Sequence, residues 1–165
     1  METLQGYAHV YGDHIDTDRI IAGKHTKTLS LERLAAHVME DLDPLFLQKI
    51  KPGDFLVAGE NFGCGSSREQ APLALLHSGI TAVVAVSFSR LFFRNAINVG
   101  LPIFEIGSHN IKNGNKLIID LKSSTVYDCT DDHKYQSVAL SPLVKAIRES
   151  GGLVGYLNSC RQLSR

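Results

Sequence analysis

The stretch Glu60-Asn61-Phe62-Gly63-Cys64-Gly65-Ser66-Ser67-Arg68-Glu69-Gln70-Ala71 decides the fold of this chain. Before it, Asp54 to Gly59 is a short apolar run that predicts a buried strand; after it, Glu69 to His77 is rich in Ala and Leu and predicts a helix. The stretch is therefore the turn of a strand–turn–helix unit. Gly63 and Gly65 allow its backbone to enter the φ > 0 region. Ser66-Ser67-Arg68-Glu69 fits a capping box, in which a Ser side chain takes the N3 amide and Glu69 reaches back. A helix N-terminus with free amides, two hydroxyls and a guanidinium suits an anion, and a carboxylate above all, because Arg can grip both oxygens. The same residues are also ordinary helix punctuation, and on their own they leave both readings open.

Nucleotide chemistry does not fit the stretch. Arg68 stands where a dinucleotide fingerprint places its third glycine, and there is no Gly-Lys-Ser/Thr of a P-loop. The nucleophile elbow of serine hydrolases is missing as well.

Outward from the turn, Thr81 to Val86 is a β-branched run that predicts a strand buried on both faces. Ser87 to Asn98 predicts a helix, and Ile103 to Ile106 a short strand. Upstream, Leu4 to Tyr11 predicts a strand, and Gly12 to Asp18 a polar loop in which Asp and Thr side chains satisfy backbone amides. Ala22 to Leu29 is a cationic loop with almost no apolar anchors. Leu31 to Met39 predicts a helix capped by Ser30, and Asp43-Pro44 opens a shorter one through Ile50. Downstream, Asn113-Gly114 signals a hairpin before a strand from Lys116 to Leu121, with Thr125 to Cys129 as its partner. Ser141-Pro142 opens a helix that Gly151-Gly152 ends, and Leu153 to Cys160 forms the last. Strands alternating with helices, followed by β-rich pairing, make a mixed α/β domain.

The 165 residues carry 17 basic and 17 acidic side chains, so the formal charge gives no sign of nucleic acid or membrane-surface binding. No apolar run reaches the roughly 20 residues of a transmembrane helix, and Met1-Glu2-Thr3-Leu4 does not open like a secretory leader. Cys64, Cys129 and Cys160 are too dispersed for a disulfide framework or a paired metal site. A reduced, cytoplasmic setting is the expectation. His9, His37, His77, His109 and His133 stand singly, and Arg90 and Arg94 suit a structural ion pair.

Asn61-Phe62-Gly63-Cys64-Gly65-Ser66-Ser67-Arg68-Glu69 resembles the signature of the swivelling domain of the aconitase superfamily. Its cysteine, the short chain and the flanking segments resemble the separate small subunit of 3-isopropylmalate dehydratase. Asp16-Thr17-Asp18-Arg19-Ile20-Ile21, Ser87-Phe88-Ser89-Arg90-Leu91-Phe92-Phe93-Arg94-Asn95 and Gly151-Gly152-Leu153-Val154 agree in order, so the similarity runs from Gly6 to Leu157. It implies one α/β domain over residues 1–165, of the β/β/α swivelling type of the aconitase C-terminal domain (domain 4).

The resemblance also implies an activity. It is that of a hydro-lyase subunit, which isomerises 2-isopropylmalate and 3-isopropylmalate by dehydration and rehydration in leucine biosynthesis. Ser66 takes the place of the catalytic base, Ser67 and Arg68 match the residues that hold a substrate carboxylate, and Asp18 matches an acid that orients the site. Gly63 and Gly65 support the turn. His25, Thr26, Lys27 and Thr28 fall in the loop that reads the substrate's variable group. The Lewis acid for the leaving hydroxide is one iron of a [4Fe–4S] cluster, which needs three Cys ligands. This chain does not offer such a set, so the resemblance places the cluster in a large partner subunit and makes the chain inactive alone. Metal ligands are not expected here.

Alternatives are the small subunit of homoaconitase, citramalate dehydratase or 2,3-dimethylmalate dehydratase, and a non-catalytic binding protein on the same fold. In archaeal-type relatives the loop core resembles Tyr-Leu-Arg-Thr where a distal carboxylate is read, and is apolar where an isopropyl group is read. His25-Thr26-Lys27-Thr28 departs from both.

Overall fold

The computed structural model describes residues 3–163. Seven strands form one sheet in the order β4-β3-β2-β1-β5-β6-β7. The strands are β1 (Thr3–Val10), β2 (Phe55–Ala58), β3 (Ala82–Ala85), β4 (Ile103–Glu105), β5 (Lys116–Asp120), β6 (Thr125–Asp128) and β7 (His133–Gln136). The helices are α1 (Thr17–Ile20), α2 (Leu31–Ala36), α3 (Phe46–Lys49), α4 (Gln70–Ser78), α5 (Arg90–Val99), α6 (Pro142–Glu149) and α7 (Leu153–Leu163).

β1 to β4 run parallel, and β1 also pairs antiparallel with β5, so β1 joins two differently wound halves. Every residue of β2 and β3 is buried, as their unbroken apolar sequence requires. Leu56, Ala58, Val83 and Ala85 face the helices, where they meet Leu75 of α4, and Phe92 and Ala96 of α5. Phe55, Val57, Ala82 and Val84 face the other way, against Leu117, Ile119, Val126 and Tyr135 of the antiparallel half. The sheet thus curls over a second core. The Val138 amide, just beyond β7, donates to the Glu105 carbonyl of β4 at 2.8 Å and brings the two edges together.

Most expected elements are present, with several corrections. Asn113-Gly114 is a turn, with Gly114 at φ +86°, but it does not join a hairpin. The strand before it is β4, at the far edge of the sheet. The hairpin is β5–β6, turned at Leu121 to Ser124. β7 was not expected, because only Tyr135 of its four residues is buried and the pattern carries no apolar signal. The loop before Ile20 contains α1, capped by the Asp16 carboxylate on the Asp18 amide at 2.7 Å. The helix expected from Ser87 starts at Arg90, with Ser89 as its cap.

The capping box is not formed. α4 begins at Gln70 with Glu69 at the cap position and no side-chain cap bond. Pro72 gives the reason. In a helix begun at Ser67 its missing amide and ring would fall on the Arg68 carbonyl, whereas in the first turn of α4 neither matters.

Asp54 ties β1 to the loop before β2. Its carboxylate accepts from the Tyr7 amide at 3.0 Å and the Lys51 amide at 2.9 Å, and lies 2.8 Å from His9 Nε2. Burial alone pushes this carboxyl up, but the His9 bond and the two amides outweigh it, and the group sits below its ordinary value. Its contribution is therefore present above the unfolded carboxyl pKa of about 4 and is lost as the pH falls through the lower folded value. Asp54→Asn should cost about 1–3 kcal/mol near neutral pH. Thermal denaturation from neutral pH down to pH 3 should show the gap between wild type and variant closing only on the acid side.

Candidate active site

The site lies where the parallel strands end. The segments leaving β1, β2 and β3 at their carboxyl ends continue side by side, the usual crevice for a ligand in such sheets. Asp16 bridges to Cys64, and Phe62 to Phe88. The Gly63 amide donates to the Ile15 carbonyl and the Thr17 amide to the Cys64 carbonyl, each at 2.8 Å. On the other side, the Phe62 amide donates to the Ser87 carbonyl at 3.0 Å and the Ser89 hydroxyl to the Gly63 carbonyl at 2.7 Å.

Both turn glycines are required. Gly63 has φ +76°, and a β-carbon there would lie 2.3 Å from the Phe92 side chain. Gly65 has φ +90°, and its β-carbon would lie 2.3 Å from an Asp16 carboxylate oxygen. Beneath them Phe62 meets Phe92 edge to face at 5.0 Å between ring centroids, and Phe88 stacks on Phe92.

Ser66 is exposed, and its hydroxyl has no hydrogen-bond partner among the described residues. Its backbone is held: the buried Thr17 donates its hydroxyl to the Ser66 carbonyl at 2.9 Å. Ser67 is exposed, and its hydroxyl accepts from Asn95 Nδ2 of α5 at 3.4 Å. The Arg68 guanidinium pairs with the Asp18 carboxylate and donates to the Ile21 carbonyl at 3.4 Å. It also packs on Gly23, where a β-carbon would come within 3.3 Å of both terminal nitrogens. Asp18 thus orients Arg68 and balances its charge.

Residues 22–29 contain a 3-10 turn, Gly23–His25. His25, Lys27 and Thr28 line a basic hollow of about 710 Å3 with Lys24, Arg33 and His37. Thr26 turns away, its carbonyl accepting from Gln70 Nε2 at 3.5 Å. His37 does not stand alone: its ring stacks on that of His25, 3.7 Å between centroids and 5° from parallel. His25 Nε2 lies 2.5 Å from Glu40 Oε1 and His37 Nδ1 lies 2.8 Å from Glu40 Oε2. The His37 bond first, then that of His25, hold Glu40 below the usual carboxylate range against some opposition from burial.

Sequence reasoning assigned no role to Thr17, Asn95, His37 or Glu40. The spacing of His37 and Glu40, three residues apart at the end of α2, was the available signal. Arg90 and Arg94 have no ion-pair partner among the described residues. They line a separate hollow of about 390 Å3 with Phe88, Phe93, Ile97 and Glu105.

The residues present do not fit a [4Fe–4S] cluster. Among the described residues, the one group of three with metal-ligand spacing is His25, His37 and Glu40, and it contains no cysteine. Imidazole lone pairs lie in the ring planes, so two parallel stacked rings do not aim at one ion. Burial, and the Asp16 carboxylate after it, hold the Cys64 thiol above its ordinary value, which disfavours the thiolate that iron requires.

The Aconitase C-terminal domain family matches residues 37–107. A 3-isopropylmalate dehydratase small subunit from Aliarcobacter butzleri is 48% identical over 157 residues, 94% of this chain and 95% of that protein. The chain belongs to the 3-isopropylmalate dehydratase small-subunit family of the aconitase superfamily. A methanogen homoaconitase small subunit from Methanothermobacter thermautotrophicus is 44% identical, over 93% of this chain and 89% of that one. The crystal structure of 3-isopropylmalate dehydratase (leuD) from Methanocaldococcus jannaschii superposes with a TM-score of 0.94 at 42% identity, covering 99% of this chain and 98% of that one. The swivelling fold and the hydro-lyase small-subunit assignment expected from the sequence are borne out.

Gly63→Ala tests the close approach under the site. Left-handed strain and the overlap with Phe92 should together cost about 2–5 kcal/mol. Urea denaturation should show the midpoint falling with little change in slope; a midpoint equal to wild type would mean that Phe92 moves aside freely.

Proposed function

We propose that this chain, as one swivelling domain, is the small subunit of a heteromeric hydro-lyase that interconverts 2-isopropylmalate and 3-isopropylmalate. The reading places it in leucine biosynthesis and in a reducing, cytoplasmic setting. The observation that carries the proposal is the Ser66-Ser67-Arg68 turn. Its backbone is fixed by Thr17 and by the flanking segments, while the Ser66 hydroxyl is left exposed. Ser66 is the base that takes the proton beside a carboxylate, and Ser67 and Arg68 hold that carboxylate.

A serine hydroxyl is a weak base, and α4 starts four residues too late for its N-terminus to stabilise an alkoxide at Ser66. The groups that activate it enter with the substrate and the large subunit. The same subunit holds the [4Fe–4S] cluster, since the cysteines here do not fit one.

The basic hollow favours a second reading. Lys24, Lys27, Arg33 and two imidazoles line it, and no apolar side chain does. An isopropyl group gains nothing beside an ammonium, whereas a distal carboxylate does. A homoaconitase-type tricarboxylic substrate is therefore the alternative, with Lys27 reading its distal carboxylate.

Purified alone, the chain should show no iron and no hydratase activity, and adding a large subunit should restore both. Ser66→Ala should unfold within about 0.5 kcal/mol of wild type, because its hydroxyl makes no bond to lose, and should lower kcat by about a hundredfold or more in the reconstituted enzyme. Appreciable turnover by that variant would remove Ser66 as the base. Lys27→Ala should selectively lose homoaconitate if Lys27 reads a carboxylate. Equal kcat/KM losses on 3-isopropylmalate, citramalate, dimethylmalate and homoaconitate would exclude it from discrimination.

A further inference from the structure

None of residues 22–30 is buried, although the loop between Ile21 and Leu31 has to hold a fixed shape if it is to read a substrate. Hydrophobic burial does not hold it, so polar contacts must. Within the loop, Thr26 Oγ1 donates to the Gly23 carbonyl at 2.8 Å, which shapes the turn without tying it to the body. The Gln70 contact to Thr26 is long, at 3.5 Å. The strong tether is Glu40. Its two oxygens take His25 from the loop and His37 from the end of α2, and the rings stack between them. Lys24 Nζ adds a third contact at 3.7 Å.

Glu40 is itself well placed to act as an anchor. It follows Met39, which is buried, has φ +60°, and donates its amide to the Ile20 carbonyl at 2.7 Å. A carboxylate with both oxygens engaged is a charge-assisted clamp, stronger than a neutral pair. It also lies beside a hollow lined by Lys24, Lys27 and Arg33, and with Lys24 Nζ at 3.7 Å it offsets part of the repulsion among these cations.

We propose that Glu40 is a positioning residue, which latches the Ala22–Leu29 loop through His25 and His37 and so sets the enzyme's choice among hydroxy acids differing in their distal group. The latch rests on the reading of that loop given under the proposed function. It makes Glu40 a determinant of selectivity although it is not itself expected to touch substrate.

The test has two independent readouts. The first is hydrogen–deuterium exchange of the full chain. In Glu40→Ala, exchange across residues 22–29 should rise about tenfold, the worth of a hydrogen bond to a charged group, while β2 and β3 keep their protection. His25→Ala should loosen the same residues with Glu40 still in place. Glu40→Gln can accept from only one imidazole and should fall between wild type and Glu40→Ala. Unchanged exchange in residues 22–29 in both alanine variants overturns the latch, and so does a rise shared equally by β2 and β3.

The second readout is the ratio of kcat/KM on 3-isopropylmalate to that on homoaconitate in the reconstituted enzyme. A purely structural loss lowers both values alike and leaves the ratio unmoved. The latch predicts a ratio changed by about fivefold or more in Glu40→Ala, carried mainly by KM, with partial recovery in Glu40→Gln. A constant ratio overturns the selectivity role even if exchange rises. If the wild-type enzyme turns over neither acid, the functional reading falls, and the exchange measurement still decides the latch.

Discussion

At Gly63 the main chain lies against the Phe92 ring with no room for a side chain. Much of the site follows from that approach. It lets Ser89 reach the Gly63 carbonyl and seats α5 under the turn, which brings Asn95 to Ser67. Gly65 repeats the constraint on the other side, against Asp16. The segments leaving β1 and β3 are thereby drawn onto the segment leaving β2, and Ser66 is presented on a backbone bonded from both flanks. An exposed hydroxyl without a partner needs such support to keep its place, since its own side chain contributes nothing to holding it.

Parts of this arrangement were legible in the sequence. β2 and β3 announced themselves because strands covered on both faces are apolar at every position, and Ser30 and Ser141 cap their helices as their local chemistry suggests. The glycine spacing located the turn. What failed were inferences where a local signal has two outcomes. Ser-Ser-Arg-Glu satisfies the capping pattern, but Pro72 moves the helix start downstream. Asn-Gly makes a tight turn wherever it occurs, and only the topology decides whether the flanking segments pair. β7 is polar on three of its four residues and exists because β6 offers it an edge, which no periodicity records.

The site residues divide in the same way. Ser66, Ser67 and Arg68 are contiguous, so one motif revealed them. Thr17 and Asn95 reach the turn through contacts across the fold, whereas His37 and Glu40 meet each other locally and reach back to His25. Thr17 lies 49 positions from Ser66, and Asn95 lies 28 from Ser67. Asp18 falls between the two cases: the family pattern marked it as acidic near the site, and the fold supplies the reason, a carboxylate that holds Arg68 toward the loop.

The exposure of the Ser66 turn and the thin anchoring of the neighbouring loop have a common consequence. On the proposed function, a domain that docks onto a cluster-bearing subunit has to present its base on an open surface, and the loop that reads the substrate cannot be buried in its own core. Rigidity there has to come from polar clasps at the loop's base and from glycine-enforced close packing under the turn. Both are present: Glu40 with its two imidazoles under the loop, and the Phe62–Phe88–Phe92 cluster under the turn. The two supports differ in what disturbs them. An aromatic cluster responds to volume, so substitutions beneath the turn register as lost stability. A carboxylate shared by two imidazoles responds to charge, so substitutions at the loop's base register first as a loosened loop. Because the supports share no residue, a substitution under the loop need not disturb the backbone that presents Ser66.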